Sequence, residues 1–375
     1  MRINKLALMI ALAPSIAMAS SDTRSIAMGG VGVASSGYLN ASFHNPALAA
    51  KYGESDNFGM ILPVVGARIH DGDDLVDKID RFQDLDDLVD GNPNLEDEWR
   101  KALKDLDNGV LSSDINIGMV AAIPNKYLAA NFFVGGELSV LARTLIADED
   151  LTASPGDPLN STVTALAGGT VDVGVSLAKP IEIRGHELLL GVSPKFQNIY
   201  ALHNTNSVSD FDDDDFDFDD DYSEKSAFNL DIGLAYQIDE SITLGFSGRN
   251  LIDQELKTNR SYGDTYTYLV RPEYTIGAEY DKGWFSVAAD MDLNRRDYFK
   301  ELNYKTQYTR IGAELNGWDW VAVRAGYQYS MTDSAEDLLS FGFGFTPFGI
   351  FGLDLAGQLG KDNHYGASAQ FVFTI

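Results

Sequence analysis

The feature that most constrains this chain is a two-residue alternation that returns along most of its length. Phe228, Leu230, Ile232, Leu234, Tyr236 and Ile238 are separated by Asn229, Asp231, Gly233, Ala235 and Gln237. The same rhythm runs through Phe285–Leu293, through Val321–Tyr329, and through Leu339–Phe345 against Ser340, Gly342 and Gly344. It also closes the chain, in Tyr365, Ala367, Ala369, Phe371, Phe373 and Ile375. Successive side chains of a strand point to opposite faces, so each segment makes a strand with one apolar and one small or polar face. Strands in a soluble sandwich are usually about 5–6 residues long. These run to roughly 9–13 residues, the length of a tilted membrane crossing.

Such segments cover 57–69, 113–124, 128–146, 161–179, 186–200, 226–238, 241–250, 271–281, 283–294, 305–315, 319–331, 337–346, 350–360 and 364–375. Fourteen is an even number, as single-chain bacterial barrels use. The connections alternate. Long ones follow segments one, three, five, seven and nine, and short ones such as Pro124-Asn125-Lys126 and Asp239-Glu240 follow two, six, eight and ten. The expected fold is therefore all-β: a transmembrane antiparallel β-barrel of about 14 strands over residues 57–375, with both termini on the short-turn, periplasmic side.

Composition fits this once the charge is mapped. The chain holds 56 Asp+Glu against 28 Lys+Arg, a formal net charge of −28, and no cysteine. The excess of acid argues against a nucleic-acid partner, which needs clustered Lys and Arg. The missing cysteine removes disulfides, thiolate catalysis and thiolate metal sites. Residues 71–107 hold fourteen acids and five bases, and residues 210–225 hold ten acids and one base. Both fall in long connections, so the charge belongs to the outer mouth.

The first of these, an acidic outer loop over 70–112, has helical spacing. Leu75, Ile79 and Phe82, then Trp99, Leu103 and Leu106, recur at intervals of three and four around Gly91-Asn92-Pro93-Asn94. Two short helices forming a lid are expected. The second, over 201–225, is Asp-rich. Clustered carboxylates suit a hard cation, so Asp213, Asp215, Asp217 and Asp219 are candidate Ca²⁺ ligands; the segment lacks the glycine turn and closing Glu of an EF-hand loop. A solvated loop with no cofactor is the plainer expectation.

The N-terminus predicts export. Arg2 and Lys5 precede the apolar stretch Leu6–Met18, and Ala17-Met18-Ala19 is a cleavage signal, giving a signal peptide over 1–19. Residues 20–56 then form a Gly/Ser/Ala-rich segment that can pack in a tight space, with a turn at Asn45-Pro46-Ala47.

Met28-Gly29-Gly30-Val31-Gly32-Val33-Ala34, then Asn45-Pro46-Ala47-Leu48, ahead of fourteen strands, resembles the FadL-type outer-membrane transporter superfamily. The nearer resemblance is to its barrel family known as the conjugal-transfer TraF proteins. Phe58-Gly59-Met60-Ile61-Leu62-Pro63 and Asp74-Leu75-Val76-Asp77-Lys78-Ile79-Asp80 are similar to that family as well. The resemblance implies an N-terminal hatch carrying Asn45, Pro46 and Ala47, and passage of hydrophobic small molecules such as long-chain fatty acids with exit through the barrel wall. It also implies location in the bacterial outer membrane, with outer-membrane lipid, a hydrophobic ligand and the barrel-assembly machinery as partners. A conjugation-associated envelope barrel and a diffusion porin are the alternatives.

Parity of the alternation places Asp231, Arg249, Glu279, Asp290, Arg310, Glu314 and Arg324 on the inward face, with Asp172, Lys195, Asp292 and Asp354. Both signs are present, so these candidate lumen-lining residues are expected to pair across a filled lumen. No HExxH or GxSxG motif occurs, and the chain is not expected to be an enzyme.

Overall fold

A computed structural model describes residues 22–53, 56–89, 92–183, 186–209, 222–318 and 320–375. The signal-peptide stretch and Asp213, Asp215, Asp217 and Asp219 lie outside these residues. Fourteen strands form one closed antiparallel barrel. They are β1 Gly59–His70, β2 Val110–Ile123, β3 Ala129–Leu145, β4 Thr162–Ile183, β5 His186–Ser207, β6 Ser223–Gln237 and β7 Ile242–Arg249. The second half is β8 Glu273–Asp281, β9 Phe285–Asp292, β10 Tyr308–Trp318, β11 Val321–Ser330, β12 Leu338–Phe345, β13 Phe351–Gly360 and β14 His364–Thr374. Closure is made by β14 on β1, from Gly59↔Thr374 to His70↔His364. A closed ladder leaves no backbone edge, which is what hydrocarbon requires.

Alternation becomes sidedness. In β12, Leu339, Phe341, Phe343 and Phe345 are exposed on the outside, while Leu338, Ser340, Gly342 and Gly344 are buried. Aromatic rings mark both rims of this apolar band. Tyr127, Trp284, Trp320 and Phe351 are exposed at the short turns, and Tyr329 and Tyr365 at the opposite end. Among the described residues no helix is long and apolar enough to cross a membrane. The chain is a transmembrane β-barrel.

Two strands run furthest beyond their expected spans. β4 and β5 are 22 residues each, and β5 runs to Ser207, into the stretch read as Asp-rich loop. Their ladder continues to Thr162↔Ser207 because other parts of the chain cover it there. Leu166, Ile199 and Ala201 are buried under Tyr268 and Phe299 of the mouth loops, and the Thr164 and Thr205 hydroxyls bond at 3.0 Å. β10 likewise continues through the expected turn to Trp318, with a register shift between Asn316 and Trp318.

The first outer connection holds two helices, α3 Leu75–Val89 and α4 Glu96–Asp105. (α1 and α2 belong to the N-terminal segment below.) Phe82 and Trp99 pack with ring centroids 5.8 Å apart, and the Trp99 indole donates to Asp86 at 2.6 Å. The helices share one apolar core with Leu111, Ile146, Leu159, Val163 and Val208 of the barrel rim. Asp71 starts α3 by accepting from the backbone of Leu75 at 2.6 Å and Val76 at 3.2 Å.

Candidate lumen site

The N-terminal segment lies inside the barrel. α1 spans Thr23–Ala27, α2 spans Ala41–His44, and a 3₁₀ turn covers Pro46–Ala50. Asp22 caps α1 by accepting from the Ser25 backbone at 3.1 Å, and its other oxygen bonds the His44 ring at 2.6 Å. One carboxylate thereby ties the start of the segment to α2.

The wall that receives this segment is made of glycine. Gly191 and Gly233 are register partners on β5 and β6, Gly245 and Gly277 on β7 and β8, and Gly312 and Gly326 on β10 and β11. A β-carbon on Gly191 would collide with the Pro46–Ala47 backbone, one on Gly233 with Asn45, and one on Gly245 with the Val33 carbonyl. Met28 and Gly29 sit in the same way against Gly312 and Gly326. Backbone can approach backbone this closely only where no side chain intervenes.

Asn45 is fully buried. Its amide donates to the carbonyls of Val33 at 2.8 Å and Leu234 at 3.0 Å, and its oxygen accepts from the Ala47 backbone at 3.1 Å. Pro46 begins the 3₁₀ turn, where its missing N–H costs nothing. Ala47, Leu48, Ala49 and Ala50 pack on Ala129, Ala178, Leu189 and Ala235.

Charged groups complete the seat. Lys51 meets Glu279 at 2.5 Å. Arg24 meets Glu314 at 2.9 Å; Glu314 also takes Arg324 at 2.5 Å, and Arg324 continues to Asp354. Asp290 accepts from the backbone of Gly32 at 2.7 Å and Val33 at 3.0 Å. Asp231 shares Lys195 with Asp172, at 3.0 and 2.8 Å. Arg310 pairs with Asp292 at 2.7 Å. Arg249 forms no ion pair and donates no hydrogen bond among the described residues, and its Nε is buried without a partner.

Between the N-terminal segment and the mouth loops is a chamber of about 230 Å³. Arg249, Asp290 and Arg310 line it, as do Arg68, Asp114, Glu137, Glu273 and Arg296, which the sequence reading did not select. Parity could have found Asp114, which shares a face with Asn116 and Gly118 between Ile115 and Ile117. Nothing in the alternation marks Arg296, because it enters from a loop outside the barrel ladder. Above the chamber Tyr268 and Tyr298 are buried, and burial pushes their phenols well above the ordinary range.

A second recess, apolar and about 580 Å³, lies on the outside of the wall. Phe132, Val173, Phe196 and Phe228 line it, and all four are exposed. It borders an interruption of the β4–β5 ladder between Gly174↔Lys195 and Leu177↔Val192, where Pro194 supplies no N–H. Inside that interruption the Ser176 hydroxyl bonds Ser193 at 2.7 Å and Ser42 of α2 at 2.9 Å. Among the described residues no group of three His, Cys, Asp or Glu could hold a metal.

Residues 42–292 match the family model described as "F plasmid transfer operon, TraF, protein". This chain belongs to the TraF family. No curated protein matches the sequence of this TraF-family chain. Its fold is that of the FadL-type barrels. It superimposes on the toluene transporter TbuX of Ralstonia pickettii with a TM-score of 0.57 at 14% identity, over 94% of this chain and 97% of that one. The toluene transporter TodX of Pseudomonas putida gives 0.55 at 14% identity, over 94% and 98%. A Pseudomonas aeruginosa FadL homologue gives 0.53 at 11%, over 96% and 98%.

Proposed function

We propose that this TraF-family barrel is a plugged channel of the bacterial outer membrane that passes hydrophobic small molecules, such as long-chain fatty acids, with residues 22–53 as its hatch. The export signal and insertion by the barrel-assembly machinery belong to the same reading. The observation that carries it is the contact of α2 with the inner side of the β4–β5 interruption, opposite the apolar wall recess. Movement of the hatch would uncover the one part of that ladder where backbone pairing is already broken. A hydrophobic cargo leaving there enters lipid directly and never crosses the charged chamber. The neighbours TbuX and TodX, both described as toluene transporters, support the cargo class.

Purified protein in liposomes is expected to give saturable uptake of labelled oleate or toluene above protein-free liposomes. Uptake equal to the protein-free control would overturn the reading. So would a large steady conductance in planar bilayers, which is the signature of an open porin. The family's description favours a second reading, an envelope barrel acting in conjugation. A deletion strain that loses mating frequency while retaining hydrocarbon uptake would select it.

A further inference from the structure

The chamber above the hatch is chemically unlike the cargo just proposed. Most of its charged groups are spent on one another: Arg68 on Asp114, Arg310 on Asp292, and Arg296 on Glu137. Two groups are not. Arg249 ends β7 with no ion pair and no donated hydrogen bond among the described residues. Glu273 begins β8 as its register partner, yet the two form no ion pair with each other. The only ion pair of Glu273 among the described residues is a long one, 3.5 Å to Arg296, and no hydrogen bond to it is seen there. Asp290 adds a buried oxygen, Oδ1, without a partner.

A guanidinium and a carboxylate stand side by side in one partly open chamber, both half-buried and each with bonding capacity left for a ligand to use. A hydrocarbon there would desolvate both and return nothing. We infer that this chamber is a binding site for a zwitterionic small molecule of amino-acid size, its carboxylate received by Arg249 and its ammonium by Glu273. A guanidinium offers a planar fork that matches a carboxylate, and an ionised carboxylate is a strong acceptor for an ammonium. The charge of the chamber is near balance, so a ligand carrying both signs fits better than an anion alone. This ligand is independent of any hydrophobic cargo and of the route through the wall.

The test is equilibrium dialysis of the full chain in nanodiscs against radiolabelled glutamine, histidine and arginine, with acetate and ethylamine as half-ligands. Dialysis allows slow entry past the hatch and loops. At least one zwitterion is expected to bind more than tenfold tighter than either half-ligand. Arg249→Gln and Glu273→Gln are each expected to weaken it more than tenfold, with heat-modifiable gel migration reporting an intact barrel. Arg249→Lys, which keeps the charge but not the fork, is expected to fall between. Absence of binding by every zwitterion to the intact barrel would overturn the inference, as would acetate binding equally well or folded variants binding like the native chain. Oleate uptake by the same preparation separates the two ideas: uptake without zwitterion binding sinks only the chamber, and the reverse sinks only the hydrophobic cargo.

Discussion

At the outer mouth, Phe82, Trp99, Tyr268 and Phe299 are among the largest fully buried side chains of the molecule. The N-terminal segment buries Met28, Phe43 and Leu48 as well, but it also meets the wall through glycine pairs, hydroxyls and ion pairs, with Asn45 at its centre. The first closure is apolar, non-directional and proportional to buried area. The second is set by register. Each of its neutral hydrogen bonds contributes only about 0.5–1.5 kcal/mol net, and those to charged groups about 1.5–3 kcal/mol. The mouth is thus held by one large apolar core, while the N-terminal segment is held by many small contacts, as the hatch proposed above requires.

Truncating the mouth core is expected to have the largest effect. Trp99→Ala removes a fully buried indole and the partner of Phe82, and costs about 3–5 kcal/mol. The lid helices should lose amide-exchange protection over 75–105 while residues 22–53 keep theirs. Equal loss in both regions would mean that the two closures are one cooperative unit.

How much of this was legible in the sequence depends on the same contrast. Alternation located all fourteen strands, and apolar spacings of three and four the two lid helices, because apolar burial writes a period into the chain. Parity also put Asp231, Arg249 and Glu314 on the inward face. What it could not supply was pairing. Arg24 and Lys51 lie in a segment without strand rhythm, and their partners Glu314 and Glu279 are fixed only by how that segment threads the barrel. The glycine seat was in plain view as Gly233, Gly326 and Gly342 at inward positions, but a glycine in a strand does not say what presses against it. Asn45, Pro46 and Ala47 were reached by resemblance, and the physical reason for them, a buried amide joining Val33 to Leu234, appears only in the fold.

Filling the seat sharpens the comparison from the other side. Gly233→Val sets a side chain against Asn45 and the Ala47 backbone, an overpacking that costs about 1–3 kcal/mol. The barrel has its own ladder and should survive. The hatch should become sensitive to protease added from the periplasmic side, and bilayer conductance should rise. A resistant hatch with unchanged conductance would show that the glycine belt is not its seat.

Asn45→Ala should act in the same direction with less force. It strands the carbonyls of Val33 and Leu234, a loss of about 1–3 kcal/mol that water reaching the lumen can partly offset. Asn45→Asp keeps the acceptor for Ala47 and loses the two donated bonds. It should therefore match or exceed the alanine variant in protease sensitivity, and a milder effect would place the importance of Asn45 in its turn alone.

The smallest effect expected is at the lid, and it depends on pH. Burial pushes the Asp71 carboxyl above its ordinary value, against the pull of the Leu75 and Val76 backbone and with the push of Asp74 and Asp77. A carboxyl raised on folding contributes stability that is fully present below its unfolded pKa and is lost as pH rises through the folded one. Ionised Asp71 at neutral pH is therefore a cost to the lid. Asp71→Asn keeps one acceptor oxygen and so one of the two backbone bonds, a change of about 1 kcal/mol. It should flatten the pH dependence of amide exchange over α3, after correction for intrinsic rates, and leave residues 22–53 unaltered. A variant whose α3 protection follows pH as steeply as the native chain would assign that dependence to the other acids of the loop, and would detach Asp71 from the stability of the mouth.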